Sequence, residues 1–241
     1  MQAALYVGLS AQVALERRLN TIAQNVANMS TAGYRADEVK FETVLSRTAR
    51  DSVAFATSGE NFISRRAGGI TKTDNPLDLA IDGEAWFAIT TPAGVVHSRD
   101  GRLQIGNDGM LRTVTGYPVL DVAGAPIMID ADAGPPTIGR DGTLTQDGQQ
   151  IGAIGLFTIA PGADLDRFEA SGVIARTGVA PVQDFVANGV LQGYVEESNV
   201  NPIMEMTKLI AVSRAFDNAS TAVNDGESSL REAIRSLGPS T

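Results

Sequence analysis

Cysteine is absent from this 241-residue sequence, and histidine occurs once, at position 97. Without cysteine the chain can form no disulfide framework, no thiolate nucleophile and no cysteine-ligated zinc site. Any Ser-His-Asp relay would have to use His97, yet the sequence gives no sign of a positioned nucleophile or orienting acid beside it. We therefore predict a structural or surface role for His97.

Basic character and long apolar runs are also scarce. The net charge is −9 and the pI is near 4.6, and both values disfavour binding to nucleic acid or to anionic lipid. No apolar run approaches the roughly 20 residues of a membrane span, and the first residues lack the pattern of a cleaved signal peptide. We expect a protein partner, with no nucleic acid bound and no membrane span.

The sequence also lacks a recognisable cofactor or metal motif. It contains no glycine-rich phosphate loop, and Asp130 and Asp132 lack the bidentate glutamate that completes a calcium loop. A tight turn explains each Asp-Gly pair without any chemistry. We expect no catalytic, cofactor-binding or metal-binding residue.

An apolar stripe with helical spacing is present near each end of the chain. Near the start, steps of four, three, four and three residues connect Leu15, Leu19, Ile22, Val26 and Met29. Near the end, the same kind of stripe consists of Leu209, Val212, Phe216, Ala219 and Val223, and after Gly226 of Leu230, Ala233 and Leu237. This spacing is typical of coiled-coil-like packing, so we predict that the terminal helices pair with each other or with neighbouring molecules.

Short signals mark the inner ends of these helices. The first helix is predicted to run from about residue 3 to residue 29, followed by a stop signal at residues 30–33. Gly33 can take the left-handed conformation that ends a helix. Pro202 stands at a favoured first-turn position of the last helix.

The middle of the chain has the two-residue period of β-strands. The pattern is weak between residues 34 and 75, where we predict a strand or short helix at residues 39–45, and it strengthens from Pro76 onward. Turn signals end in Gly83, Gly101, Gly109, Gly142 and Gly148, each suited to a hairpin that needs positive φ. The predicted fold class is α+β: a discontinuous terminal helical domain (residues 1–34 and 196–241), an extended arm (35–75) and a central, mainly antiparallel β domain (76–195).

Three motifs resemble those of the axial proteins of the bacterial flagellum, the rod and hook family. Residues 23–35, AQNVANMSTAGYR, resemble the signature A-N-N-x-A-N-x-x-T-x-G-[FY]-[KR], with Gln24 in place of an asparagine. Residues 198–216 resemble S-N-V-[ND]-P-x-x-E-M-x-x-[LM]-I-x-x-x-R-[AS]-[FY]. Residues 75–89 resemble L-D-[LV]-A-[IL]-x-G-x-G-[FW]-[FL], with Ala85 in place of a glycine. The resemblance spans nearly the whole chain.

This resemblance implies a structural subunit of the flagellar basal-body rod in the periplasm. Such a subunit polymerises through its terminal helices with other rod proteins and copies of itself, after delivery by the flagellar type III export apparatus. The length and residues 152–193 are most similar to the proximal rod protein of the family, with the distal rod protein as the alternative. We predict an assembly interface made of Leu15, Leu19, Ile22, Asn25, Val26, Asn28, Gly33, Tyr34, Asn199, Asn201, Pro202, Leu209, Val212, Phe216, Val223, Leu230 and Ile234.

Two other classes of function stay open on the residues alone. A periplasmic or extracellular hydrolase would use carboxylates of the β domain, and the candidates are Asp78, Asp82, Asp100 and Asp141. A helical adaptor with a β recognition domain would instead form a stable dimer of fixed stoichiometry.

Overall fold

The computed structural model describes residues 2–39, 42–46, 53–57, 61–130 and 132–237. The chain forms two compact units, and each combines segments that are distant in sequence. The helical unit comprises residues 1–27, 37–62 and 201–241, and the β unit comprises residues 28–36 and 63–200. Across the described ranges, no helix is long and apolar enough to cross a membrane.

Two long helices dominate the described part of the helical unit. Helix α1 spans Gln2–Ala27 and helix α2 spans Pro202–Leu237. The strands are β1 (Asp37–Val39), β2 (Glu42–Ser46), β3 (Val53–Thr57) and β4 (Asn61–Ile63), which ends at the border of the β unit. Strand β2 pairs antiparallel with β3, and β1 pairs with β4. Helix α1 packs against α2, β1 and β3.

The two helices run antiparallel to each other. Near the start of α1, a Cβ atom added to Gly8 would lie 2.7 Å from Val223 Cγ2. Near the end of α1, Asn25 Nδ2 lies 3.5 Å from Glu205 Oε2, close to the start of α2. The missing side chain of Gly8 therefore allows a close approach of the helices at that end.

The inner helix ends agree closely with the sequence signals. Helix α1 ends at Ala27, two residues earlier than predicted, and residues 28–30 form a turn. The left-handed conformation of Gly33 is confirmed by its φ of +67°. Helix α2 begins at Pro202 as predicted. Just before it, the Asn201 side chain accepts a hydrogen bond from the Met204 N–H at 3.1 Å, which caps the helix.

The β unit is built from short, mainly antiparallel strands. They are β5 (Ile70–Lys72), β6 (Leu79–Asp82), β7 (Trp86–Thr91), β8 (Gly94–Ser98), β9 (Leu103–Ile105), β10 (Leu111–Thr113), β11 (Thr137–Ile138), β12 (Thr143–Gln146), β13 (Gln149–Ala153), β14 (Leu156–Ile159), β15 (Leu165–Phe168), β16 (Gly172–Ala175), β17 (Val179–Pro181), β18 (Gly189–Gln192) and β19 (Tyr194–Glu196). The largest sheet has the antiparallel order β15–β16–β8–β7–β14–β17. The predicted α+β fold class is confirmed.

Buried apolar side chains of the β unit form three separate clusters. The largest cluster includes Leu79, Phe87, Leu111, Leu144 and Leu156. A second cluster surrounds the single tryptophan and consists of Ile63, Trp86, Ile159 and Val173, and a third consists of Tyr34, Ala36 and Val200. Burial of this apolar area is the main driving force for folding the β unit.

Four of the five predicted turn glycines have positive φ: Gly83, Gly109, Gly142 and Gly148. Gly101 is the exception, so the prediction of positive φ was wrong there. A Cβ atom at Gly101 would lie 1.9 Å from the Leu79 carbonyl oxygen. This glycine is therefore needed for a close approach of two backbone segments and not for a left-handed turn.

Residues 35–75, predicted as an extended arm, contain strands β1 to β5 in their described parts. Strand β5 pairs with β19 in the β unit, whereas β2 and β3 belong to the helical unit. Residues 40, 41, 47–52 and 58–60, which include part of the predicted element at 39–45, lie outside the described residues. Strands of three to five residues are too short to give a clear two-residue period.

His97 is buried on β8, beside the ring of Phe157 at a centroid distance of 5.8 Å. Within the described ranges its Nδ1 atom has no hydrogen-bond partner. Burial lowers the pKa of His97 below the ordinary value of 6.5, because a charged imidazole is poorly solvated there. The residue thus has a structural position, and the folded β unit favours its neutral form.

This burial predicts a pH dependence of stability. The unfolded chain binds a proton at His97 near pH 6.5, whereas the folded chain resists it until the pH is lower. Protonation of His97 therefore does not affect the free energy of unfolding above pH 6.5. The free energy of unfolding decreases as the pH falls through the window below 6.5. In urea titrations between pH 7.5 and pH 5, His97→Leu should lose stability less steeply than the parent. Equal slopes for the two proteins would contradict this assignment.

Candidate assembly interface

The buried face of the helix pair carries most of the predicted interface residues. Ile22, Asn25 and Val212 are buried. The partly buried ones are Leu15, Leu19, Val26, Leu209, Phe216 and Val223, whereas Asn201 and Pro202 are exposed. Leu230 and Ile234 lie on α2, but their side chains are outside the part that the structure describes. The stripes read from the sequence thus lie where each helix meets its neighbours within the helical unit.

Asn25 is a polar residue in this buried face, and its amide is fully used. Its Nδ2 atom donates to the Asp37 carbonyl at 2.9 Å, and its Oδ1 atom accepts from the Asp37 N–H at 2.9 Å. A side-chain amide that pairs with both groups of one backbone residue fixes β1 against α1. Glu205, which also contacts Asn25, forms an ion pair with Lys208 at 2.6 Å.

A second apolar stripe on each helix is exposed, and the sequence reasoning missed both. On α1 it consists of Tyr6, Leu9 and Val13, and on α2 of Ile203, Met206 and Ile210. Both sets have the spacing i, i+3, i+7, which places each set on one helical face. At 3.6 residues per turn, the α1 stripe lies roughly opposite its buried face. The spacing was visible in the sequence, but periodicity does not show which apolar face stays uncovered.

The antiparallel arrangement separates the two exposed stripes. Gly8, within the α1 stripe, is level with Val223 on α2. The α2 stripe instead occupies the first turns of α2, level with the end of α1 near Asn25. The helical unit therefore has two exposed apolar stripes. They lie at opposite ends of the helix pair and on different helices.

In the β unit, the segments that adjoin the two helices in sequence are bonded side by side. The Gly33 N–H donates to the Glu196 carbonyl at 2.8 Å, and the Asn199 N–H donates to the Tyr34 carbonyl at 3.2 Å. The Asn199 side chain also accepts from the Ala36 N–H at 2.7 Å. Asn28 is partly buried, whereas Gly33 and Tyr34 are buried. Gly33, Tyr34 and Asn199 therefore hold two distant parts of the chain together.

A buried Arg–Glu–Arg cluster lies directly behind this junction. Glu196 pairs with Arg35 at 2.7 Å through Oε1 and with Arg99 at 2.7 Å through Oε2. The exposed fractions are 3% for Arg35, 1% for Arg99 and 1% for Glu196. Both guanidinium groups also lie over the Trp86 ring, at 5.7 and 5.9 Å from its centroid. No role was predicted for these three charged residues from the sequence.

Backbone groups complete the coordination of the cluster. Arg99 donates to the carbonyls of Ile81, Gly83 and Ala85, and the Gly68 N–H donates to Glu196 at 3.0 Å. Burial lowers the pKa of Arg35 to about 10, and the charge of Glu196 opposes that shift. Burial likewise lowers the pKa of Arg99, again against the effect of Glu196. Both arginines stay charged at neutral pH, so the carboxylate is their required counter-ion.

The four carboxylates considered for hydrolysis each have a structural partner. Asp82 pairs with Arg140 at 2.8 Å, and Asp100 pairs with Arg102 at 2.7 Å. Asp78 accepts a hydrogen bond from the Asn75 amide at 3.1 Å. Asp141 accepts from both the N–H and the hydroxyl of the residue two positions on, and the hydroxyl bond is the main reason why its pKa is lowered. Each of the four carboxylates therefore stabilises a turn or forms an ion pair.

Comparison with known sequence families gives three matches along the chain. Residues 5–35 match "Flagella basal body rod protein", residues 80–146 match "Flagellar hook protein FlgE/F/G D1 domain", and residues 191–236 match "Flagellar basal body rod FlgEFG protein C-terminal". Arg35, Arg99 and Glu196 come from these three segments in turn. The buried cluster thus joins all three matched parts of the sequence.

Full-length relatives decide the family. The chain is 51% identical to the flagellar basal-body rod protein FlgF of Mesorhizobium japonicum over 99% of both chains. It is 47% identical to FlgF of Rhizobium meliloti over 100% of both. The chain belongs to the FlgF family of flagellar basal-body rod proteins. FlgG of Bacillus subtilis is more distant, at 31% identity over 97% of this chain and 98% of the relative.

Membership in the FlgF family confirms the predicted function and location. The protein is a structural component of the flagellar basal-body rod, as its terminal motifs indicated. FlgF of Caulobacter vibrioides is 35% identical to the chain, and FlgG of the same organism is 28% identical. The similarity therefore favours FlgF over FlgG, in agreement with the rod subtype that the sequence favoured.

Proposed function

We propose that this FlgF family member polymerises with itself and other rod proteins through its terminal helices, at the proximal part of the rod. The observation that carries the proposal is the pair of exposed apolar stripes in the helical unit. Fully burying an apolar side chain of this size contributes about 1.5–3 kcal/mol. A monomer that leaves six such side chains in water gains stability when neighbouring subunits cover them.

The positions of the stripes favour a repeating contact. They occupy opposite ends of the antiparallel helix pair and lie on different helices. If the α1 stripe of one subunit contacts the α2 stripe of the next, the contact is heterologous and continues along a helical assembly. A symmetric contact would instead stop at a dimer, as in the adaptor alternative. The stripes thus support an axial polymer. The ion pairs and turn hydrogen bonds of the β-unit carboxylates separately support a structural role.

The remaining predicted interface residues have a supporting place in this proposal. The buried stripe around Ile22 and Val212 holds the helix pair together, and the exposed stripes make the contacts between subunits. Asn25, Gly33, Tyr34 and Asn199 fix the chain segments next to the helices. Delivery by the flagellar type III export apparatus, which the family resemblance implies, would bring the chain to the rod.

Ile210→Asp tests the proposal directly. The substitution places a charge in the exposed α2 stripe and should abolish motility and rod completion without reducing the stability of the isolated protein. Rods can be counted by electron microscopy of basal bodies from cells that carry the variant in place of the parent gene.

Ala211→Asp is the matched control, because residue 211 is also exposed but lies on another face of α2. It introduces the same charge one position away and should leave rod assembly intact. Normal rods with Ile210→Asp would refute the proposed polymer contact. Failure of both variants to accumulate in the cell would point instead to loss of α2 itself, and purified protein would show this by circular dichroism.

A further inference from the structure

Helices α1 and α2 each carry a seam of residues with the same spacing. On α1, steps of four, three, four, three and four residues connect Gly8, Gln12, Leu15, Leu19, Ile22 and Val26. On α2, the same steps connect Glu205, Leu209, Val212, Phe216, Ala219 and Val223. All twelve residues are buried or partly buried. The helix pair therefore has the heptad spacing of a coiled coil, and on α2 this seam begins one step before the apolar stripe, at Glu205.

Two contacts define the register of this antiparallel pair. Gly8 lies beside Val223, and Asn25 lies beside Glu205. The residue numbers add up to 231 in the first contact and to 230 in the second. The two contacts are about 26 Å apart along α1, yet they give the same register. In this register the apolar seam residues lie level in three pairs: Leu15 with Phe216, Leu19 with Val212, and Ile22 with Leu209.

Glu205 is the one charged residue among these twelve, and it is only 7% exposed. Its Oε1 atom pairs with Lys208 Nζ at 2.6 Å, and its Oε2 atom lies 3.5 Å from Asn25 Nδ2. Lys208 is also on α2, so that ion pair is the same in every register. Asn25 is on α1 and is itself held by both backbone groups of Asp37. The contact between Glu205 and Asn25 therefore exists in one register only.

Apolar side chains alone do not select this register. A heptad seam repeats every seven residues, so a shift of α2 by one heptad, about 10 Å, again places apolar residues level with each other. In one such shift, Leu209 comes level with Leu15. The same shift removes Glu205 from the Asn25 amide and brings it level with Leu19. A carboxylate buried against an apolar side chain is costly, so Glu205 disfavours the shifted register.

We infer that Glu205, together with Asn25, selects the register of α1 and α2 and so sets the distance between the two exposed stripes. A single polar residue at a seam position is known to specify register at a cost in stability. The inference rests on the proposed polymer contact, because a shift of one heptad moves the α2 stripe by about 10 Å relative to the α1 stripe. Glu205 is thus a positioning residue for assembly and is not itself part of either stripe.

Cysteine pairs measure the register in the purified full chain, because the chain has no cysteine of its own. Gln12→Cys/Ala219→Cys places two cysteines level in the observed register. Gln12→Cys/Val212→Cys places them level only after the shift of one heptad. Because a disulfide requires Cα atoms within about 7 Å, mild oxidation should cross-link the first pair at least about ten times as fully as the second. Mass spectrometry of the cross-linked peptides measures both yields.

Glu205→Leu tests the selection, because leucine packs in both registers. In this background the preference for the first cysteine pair should fall at least about tenfold, with a gain in cross-linking of the second pair. The urea unfolding midpoint of the helical signal in circular dichroism should stay at or above that of the parent, because apolar residues replace buried charges without loss of stability. Glu205→Gln keeps an oxygen for the Asn25 amide and should retain the parent preference.

Rod assembly is the second readout. Glu205→Leu should lower the number of complete rods per cell at least about tenfold, because the two stripes no longer have one fixed spacing for a repeating contact. Glu227→Leu is the matched control, since Glu227 is an exposed carboxylate of α2 that pairs with Arg231 on the same helix. It should change neither the cross-linking preference nor the rod count.

Three results would decide against the inference or its basis. An unchanged cross-linking preference in Glu205→Leu would overturn it, since other parts of the chain would then set the register. A lost preference together with normal rods would also overturn it, because the register would not matter for assembly. Ile210→Asp tests the polymer contact separately. Normal rods with Ile210→Asp would refute that contact even where Glu205→Leu changes the register.

Discussion

Glu196→Gln is expected to destabilise the β unit by about 3–5 kcal/mol, the range for removing one partner of a buried ion pair. Glutamine keeps the shape of glutamate but not its charge. Arg35 and Arg99 would then stay buried as two positive charges without a counter-ion, and each lowers the stability of the other charge. The loss can be measured as a shift of the urea unfolding midpoint of the purified chain.

Glu197→Gln is the natural control for this experiment. Glu197 follows Glu196 directly but is exposed, and its carboxylate accepts a hydrogen bond from the Thr71 hydroxyl at 2.7 Å. Removal of an exposed charge of this kind should cost at most about 1 kcal/mol. A loss with Glu196→Gln no larger than with Glu197→Gln would mean that the buried cluster does not need its carboxylate.

Replacing the whole cluster distinguishes a contribution to the stability of the β unit from a contribution to the geometry that rod assembly requires. Apolar residues of similar volume at Arg35, Arg99 and Glu196 should restore only part of the stability lost by Glu196→Gln, because no unpaired charge remains but the carbonyls that Arg99 binds lose their donor. If rods nevertheless fail to form with this triple variant, the cluster specifies the geometry of the junction and not only its stability. Basal-body counts together with urea unfolding separate the two results.

The helices were predictable because their determinants are local. Periodicity alone gave both helices, and the conformation of Gly33 and the start at Pro202 followed from neighbouring residues. The Asp-Gly turns also have local causes, and four of five showed the expected conformation. Gly101 differed because its requirement comes from the Leu79 backbone, which is 22 positions earlier in the sequence.

The buried cluster could not be predicted from local sequence. Arg99 and Glu196 are 97 positions apart, and each charged residue by itself is indistinguishable from a solvated surface charge. Only the fold shows that Arg35 and Arg99 share one carboxylate over the Trp86 ring. The same holds for the exposed stripes, since Ile203 and Met206 have the spacing of core residues and the covered face depends on the tertiary packing.

Gly33→Ala is expected to cost more than about 3 kcal/mol, since two penalties combine at this position. The φ of +67° disfavours any residue with a Cβ atom by about 1–2 kcal/mol. In addition, that Cβ atom would lie 2.2 Å from the Asp100 nitrogen and 2.4 Å from the Arg99 carbonyl carbon. These are backbone atoms, so the overlap cannot be relieved by a change of side-chain rotamer.

Gly116→Ala separates the two penalties, because Gly116 has a φ of +90° but nothing within 4 Å of its added Cβ atom. It should show only the conformational cost, and the difference between the two variants measures the steric one. Relief of the overlap at Gly33 requires its backbone to shift, and we expect this shift to weaken the hydrogen bond from its N–H to the Glu196 carbonyl. Gly33→Ala should therefore reduce rod formation as well as stability, whereas Gly116→Ala should assemble normally. Equal losses of stability in the two variants would show that the backbone beside Gly33 yields, and that the junction is not held as tightly as its distances indicate.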